Sequence, residues 1–155
     1  MGSCFLRFKE AYQTDVVVVD DMKPATFRRV LDAIYQPRND IDSLTLDELL
    51  DLLEAAERYE VHDLRASVAE RLNAVAINDV SAHDIPDLMW WSETYRLMGL
   101  QGTCELFCER HGLEVLLSQE LKNCIEKSPS IYEAIVKAAV RPLNELSRKR
   151  QRTTW

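Results

Sequence analysis

Glycine is scarce in this sequence, with 4 in 155 residues. That scarcity argues against a turn-rich all-β fold and for long helices, since tight hairpin turns draw on glycine for positive φ. Cysteine is equally sparse. Cys4, Cys104, Cys108 and Cys124 are too few and too irregularly spaced for a disulfide scaffold. No apolar run approaches the roughly 18 residues needed to span a bilayer. Met1 is not followed by the basic segment and long apolar core of a secretory signal. These absences place the chain in a reducing compartment, cytosol or nucleus, and away from membranes. Catalytic signatures are also missing: there is no phosphate-binding glycine loop, no nucleophile elbow and no His-Glu-x-x-His pattern. The carboxylates fall on polar helix faces, and their spacing pairs none of them for acid–base work. The chain therefore reads as non-enzymatic and needs no cofactor.

What is present is ordinary globular material, 46% hydrophobic and 29% charged, in a length that suits one domain or two small ones sharing a boundary. The formal net charge of -7 is unevenly spread. Arg148, Lys149, Arg150 and Arg152 put four positive charges at the end, leaving about -11 on the rest. An acidic body repels phosphate, so nucleic acid is not an expected partner of the folded part.

Val16 to Val19, four consecutive β-branched residues between acidic flanks, predict a short strand buried on both faces. The remainder predicts helices. Pro24 suits a first turn, and Phe27, Val30, Leu31, Ile34 and Tyr35 follow as one apolar stripe that ends before Pro37. Thr45-Leu46-Asp47-Glu48 matches a capping box opening a helix that buries Leu49, Leu52, Leu53 and Ala56 and reaches Tyr59. Asp63 is positioned to cap the next helix, with Leu64, Val68 and Leu72 inward. A further pair is expected over about Asp84–Leu97 and Leu100–His111, with Gly112 as a helix stop. Ser118 caps a short helix to Glu126, and Pro129 opens a last one through Val140.

An internal repeat is the most informative feature. Glu57-Arg58-Tyr59-Glu60-Val61, followed by Leu64 and Val68, recurs 36 positions later as Glu93-Thr94-Tyr95-Arg96-Leu97, followed by Leu100 and Cys104. Leu52-Leu53 matches Leu88-Met89 at the same offset. Each copy predicts a helix, a tight turn after an aromatic, and a second helix. Neither copy can bury its apolar face alone, so the two are expected to stack.

The run Val16 to Met22 with Phe27, Val30-Leu31 and Ile34-Tyr35 resembles the third strand and following helix of a BTB/POZ domain. Glu48 to Tyr59 with Val61 and Leu64 resembles the family's next helical hairpin, with its Leu-Leu-x-Ala-Ala-x-x-Tyr pattern. Asp84 to Val140 looks like a shortened BACK-type extension, and the order of elements and basic end are most similar to the speckle-type POZ protein group. The resemblance implies a mostly α, partial BTB/POZ fold with one short strand followed by stacked helical hairpins. It divides the chain into the C-terminal part of a BTB domain (1–76), a BACK-like extension (77–141) and a basic tail (142–155). It also implies that the first part of the BTB domain and the substrate-binding MATH domain of that group are absent from this sequence, leaving the strand without its usual neighbours, an aggregation hazard unless a partner covers it.

The resemblance further places Phe8-Lys9-Glu10 where cullin-3 adaptors carry a hydrophobic-x-Glu motif. There Phe8 would be an apolar anchor and Glu10 an orienting carboxylate. The plain alternative makes Phe8 a core or capping residue. Tyr132 is a second contact candidate in the last helix pair, while Ile131 and Ile135 fit core positions. In Trp90-Trp91, one ring is expected to face outward as an interface residue, unless the helical stack covers both. Cys104, Cys108 and His111, with Cys124, have a loose metal-ligand spacing, but buried free thiols in a helix explain them as well, and no metal is assigned. Arg148, Lys149, Arg150 and Arg152 fit a nuclear localisation signal or a solvated tail. Three functions remain open: an adaptor for a cullin-3 ubiquitin ligase, a nuclear module that self-associates through the helical extension, and a truncated relative with little function of its own.

Overall fold

The computed structural model describes residues 22–35 and 41–152. The strand expected at Val16–Val19 lies outside them, as do Phe8 and Glu10. The described chain is mostly α: helices α1 (Pro24–Tyr35), α2 (Leu46–Arg58), α3 (His62–Asn73), α4 (Ile85–Tyr95), α5 (Met98–Leu117), α6 (Gln119–Lys127) and α7 (Pro129–Arg152), with a 3-10 turn at Ile77–Asp79. Their buried apolar residues form one continuous core from Val30 to Ala139.

Helix α1 opens at Pro24, buries Val30 and half-buries Phe27, while Ile34 and Tyr35 stay exposed. Lys23 ties its start to Asp51 of α2 at 2.5 Å. The capping box at α2 is complete. The Thr45 hydroxyl accepts the Glu48 N–H at 3.3 Å, and the Glu48 carboxylate accepts the Thr45 N–H at 3.0 Å, so two donors at the helix start are satisfied reciprocally.

The 36-residue repeat is visible in the backbone itself. Glu60 and Arg96, 36 positions apart, both have φ of 57°, and they are the only non-glycine residues among those described with positive φ. The next N–H in each copy reaches back to close the turn: Val61 to the Ala56 carbonyl at 2.9 Å, and Leu97 to the Ser92 carbonyl at 2.8 Å. This six-to-one bond around a left-handed residue satisfies a helix C-terminus and reverses the chain within two residues. The inward positions match throughout, with Leu52 and Leu88, Leu64 and Leu100, Val68 and Cys104, and Leu72 and Cys108 all buried.

Three expected boundaries differ from those observed. Asp63 does not cap α3. The turn at Glu60 is so tight that the helix starts at His62, with Val61 before it and no side-chain cap; Asp63 falls in the first turn, where its charge still complements the helix dipole. At Gly112 the expected stop is a kink rather than an end: helical geometry breaks at His111 (φ -119°, ψ 28°), as expected, and resumes to Leu117. The glycine also serves packing, because a Cβ there would lie 2.9 Å from the Ala139 carbonyl oxygen of α7. Helix α7 does not end at Val140 but runs past Pro142 to Arg152. Arg141 holds the turn before the proline on α5, 2.5 Å from Glu109 and 3.7 Å from Glu105, and the buried Ile135, Ala138 and Ala139 pack the same stretch into the core, so the helix continues although Pro142 lacks an N–H. The expected Ser118 cap of α6 is present, its hydroxyl accepting the Leu121 N–H at 3.2 Å.

The two hairpins are joined by Asn73. Its side-chain oxygen accepts the Gly99 N–H at 2.8 Å and the Leu100 N–H at 3.3 Å, so the last residue of α3 caps the start of α5. A Cβ on Gly99 would lie 2.4 Å from the Asn73 carbonyl oxygen, whereas one on Gly102 would meet nothing within 4 Å. Opposite effects of one substitution follow. In urea melts, Gly99→Ala and Gly112→Ala should each destabilise by about 1–3 kcal/mol through backbone displacement. Gly102→Ala should stabilise by about 0.5–1 kcal/mol, the helix-propensity difference.

Candidate interaction surfaces

Helix α4 carries the tryptophan pair. Trp90 is 43% exposed and meets the half-buried Trp91 edge-on at a centroid distance of 5.3 Å. Trp91 in turn stacks on Tyr95 at 5.1 Å. The spacing of four residues puts Trp91 and Tyr95 on one helix face, and Tyr95 comes near Glu54 and Glu57 of α2. Burial, and then the Glu54 and Glu57 carboxylates, hold the Tyr95 hydroxyl above its usual range. The result is an aromatic ladder with one packed end and one open end, Trp90.

Tyr132 is half-buried on α7, packed against the core beside the buried Ile131 and Ile135. It lies far along the chain from Phe8 and Glu10, and since those two are outside the described residues the three are not brought into one described site. Arg148 is exposed on α7, and Lys149, Arg150 and Arg152 continue the same helix.

The thiols sit in the core. Cys104 and Cys108 are buried on successive turns of α5, and desolvation pushes them up to about 12 and about 11. Protonated, buried thiols are poor nucleophiles and poor metal ligands. Among the described residues no group of three or more His, Cys, Asp or Glu is placed to hold a metal ion. His111 stacks on Phe107 at 4.6 Å instead. Nor is any helix among the described residues long and apolar enough to cross a membrane.

Sequence reasoning missed a polar latch across the second half of the fold. The Nδ1 of His83, in the turn before α4, lies 2.9 Å from a Glu120 carboxylate oxygen on α6. Nothing local in the sequence signals a pair separated by 37 positions. It also missed an outward leucine stripe on α5, formed by Leu106, Leu113 and Leu117. That stripe was readable as the apolar positions opposite the Leu100, Cys104, Cys108 and Val115 face.

Two measurements test these placements. Trp91→Ala should cost about 2–3 kcal/mol in a urea melt, through lost ring packing. Trp90→Ala should stay within about 0.5–1 kcal/mol, as an exposed position does. The His83–Glu120 hydrogen bond raises the imidazole and lowers the carboxyl. The histidine's contribution is therefore complete below its ordinary value and is lost as pH rises through the raised one. The glutamate's is complete above its ordinary value and is lost as pH falls through the lowered one. An NMR titration should place His83 above an ordinary histidine, and Glu120→Gln should return it toward normal; an unchanged midpoint would disprove the latch.

No curated protein matches the chain. Residues 2–76, just under half of the chain, match the model of the BTB/POZ domain family, so the first hairpin and the residues before it are similar to that family; the match ends one residue before the 3-10 turn.

Proposed function

We propose that the chain is a non-enzymatic protein-interaction module acting as a substrate-adaptor-type subunit, or a fragment of one, in a cullin-3 ubiquitin ligase. The observation that carries this reading is the BTB/POZ match over residues 2–76. It spans the hydrophobic-x-Glu motif Phe8-Lys9-Glu10, and it runs without a break in the core into the helical stack that follows. The division of labour is that Phe8 enters an apolar pocket on the scaffold while Glu10 fixes orientation. Tyr132, half-exposed on α7, widens the contact in the manner of the speckle-type group's BACK extension. Trp90, the open end of the aromatic ladder, is the surface for a second protein. Arg148, Lys149, Arg150 and Arg152 direct the chain to the nucleus.

A second reading makes the chain a nuclear module that self-associates through its helical extension, without a ligase. The exposed leucines of α5 favour it. Calorimetry of the chain against a cullin-3 N-terminal domain separates the two. The adaptor reading expects micromolar or tighter binding that a Phe8→Ala, Glu10→Lys double variant loses. No binding by a chain that still melts cooperatively removes the adaptor role.

A further inference from the structure

The internal repeat supplies its own comparison for the outer face of α4. On α2 the residues Asp51, Glu54 and Glu57, at spacings of three, form one line along the helix, and each is matched by a cation from within the chain. Lys23, before α1, reaches Asp51 at 2.5 Å, Arg58 reaches Glu54 at 2.9 Å, and Arg65 of α3 pairs with Glu57. Shifted by 36 positions, the same line on α4 reads Asp87, Trp90 and Glu93. Here the cations are gone. Thr94 stands in the place of Arg58 and Gln101 in the place of Arg65, and the Gln101 amide turns to Glu105 instead, 3.4 Å away. Lys23 has no repeated counterpart, since the position 36 residues on from it is Tyr59 at the end of α2.

Two of these residues are unfavourable for α4 by itself. Glu93 lies in the last turn, where a carboxylate meets the negative end of the helix dipole, and α4 has no basic residue from Ile85 to Tyr95. Trp90 is 43% exposed, and its edge-on contact with Trp91 leaves a ring face open to solvent. Asp87 and Glu93 are exposed, and among the described residues neither forms an ion pair. The field around the aromatic ladder is negative as well: after burial, Glu54 and Glu57 raise the Tyr95 hydroxyl, and Arg58 offsets them only in part. A planar cation answers all of these features, because a guanidinium stacks on an indole face and donates to carboxylates at its edges. We propose that the outer face of α4 docks a basic segment of another protein, an arginine of which lies on the Trp90 ring between Asp87 and Glu93. The partner thereby supplies the cation that the first copy draws from its own chain. The proposal rests on the reading of Trp90 as the surface for a second protein and names that partner's chemistry; Phe8 and Glu10 take no part in it.

NMR titration of the full chain tests it, read at the tryptophan indole and α4 amide signals. The probes are short capped peptides that alternate glycine with arginine, with lysine or with neutral citrulline. The arginine peptide should bind saturably with shifts centred on Trp90, the lysine peptide more weakly, and the citrulline peptide not at all. Trp90→Ala should weaken the arginine peptide about fivefold or more, and Asp87→Asn and Glu93→Gln should each weaken it about two- to fivefold. The Phe8→Ala, Glu10→Lys chain should bind the peptide as the wild type does, so loss of the adaptor reading and loss of this site are separate results. Equal binding of the lysine peptide, binding of the citrulline peptide, or shifts over the acidic surface that survive Trp90→Ala overturns the site. Movement of the Trp90 signal on concentrating the chain alone, without peptide, seats the chain's own basic end there and overturns it too.

Discussion

A left-handed residue at Glu60 and again at Arg96 governs how everything after it can pack. A side chain in that conformation costs about 1–2 kcal/mol relative to the right-handed one, and glycine is the usual occupant. Here the cost is offset because the turn does two things at once. It closes the C-terminus of one helix through the six-to-one bond, and it starts the next helix within two residues. A longer connection would let the second helix swing, and the inward pairs Leu52 with Leu64 and Leu88 with Leu100 would lose their register. The turn fixes the hairpin, the hairpin fixes a buried stripe, and two such stripes stack.

The stack is then secured by close approaches that tolerate little change. Asn73 does for α5 what Thr45 does for α2, but from another helix, so the cap is also a tertiary contact. Gly99 is required there because the Asn73 backbone passes too near for any Cβ. At the other end of α5, Gly112 admits α7 and Arg141 bridges to Glu105 and Glu109. Exposed ion pairs contribute little in general. This one matters by position, since it holds the turn before Pro142, where α7 lacks a backbone hydrogen bond.

The sequence made the hairpins legible because their signals are local: a capping box, a helical period, and a seven-position match at a fixed offset. It misled where a residue served a neighbour rather than its own helix. Gly112 has the form of a helix stop and stands at a kink, where it also admits α7; Pro142 has the form of a boundary and lies inside α7. Asp63 has the chemistry of a cap but falls two residues past the cap position, because the left-handed residue at Glu60 shortens the connection. None of the three could be decided without knowing which helix lies alongside. Of the candidate contacts, Tyr132 and the tryptophans could be placed from the helical period, whereas Phe8 and Glu10 were named by resemblance alone.

Divergence between the two copies is concentrated where packing leaves freedom. Inward positions keep their character from copy to copy: Leu53 becomes Met89, Ala56 becomes Ser92 and Val68 becomes Cys104, each still buried. The exchange at Ala55 and Trp91 follows from different neighbours. Ala55 lines the cleft under α1 with Met22 and Thr26, while Trp91 covers itself by stacking on Tyr95 beside α2. The exchange of Glu54 for Trp90 is covered less completely, by an edge-on contact with Trp91 alone. Glu54 holds an ion pair with Arg58 in the first copy; in the second, a large ring stands 43% exposed, where water favours a polar side chain and the fold gains little from an aromatic. Exposed tryptophans are enriched where one protein meets another. The fold thus accounts for Trp91 fully and for Trp90 only through its edge-on contact with Trp91.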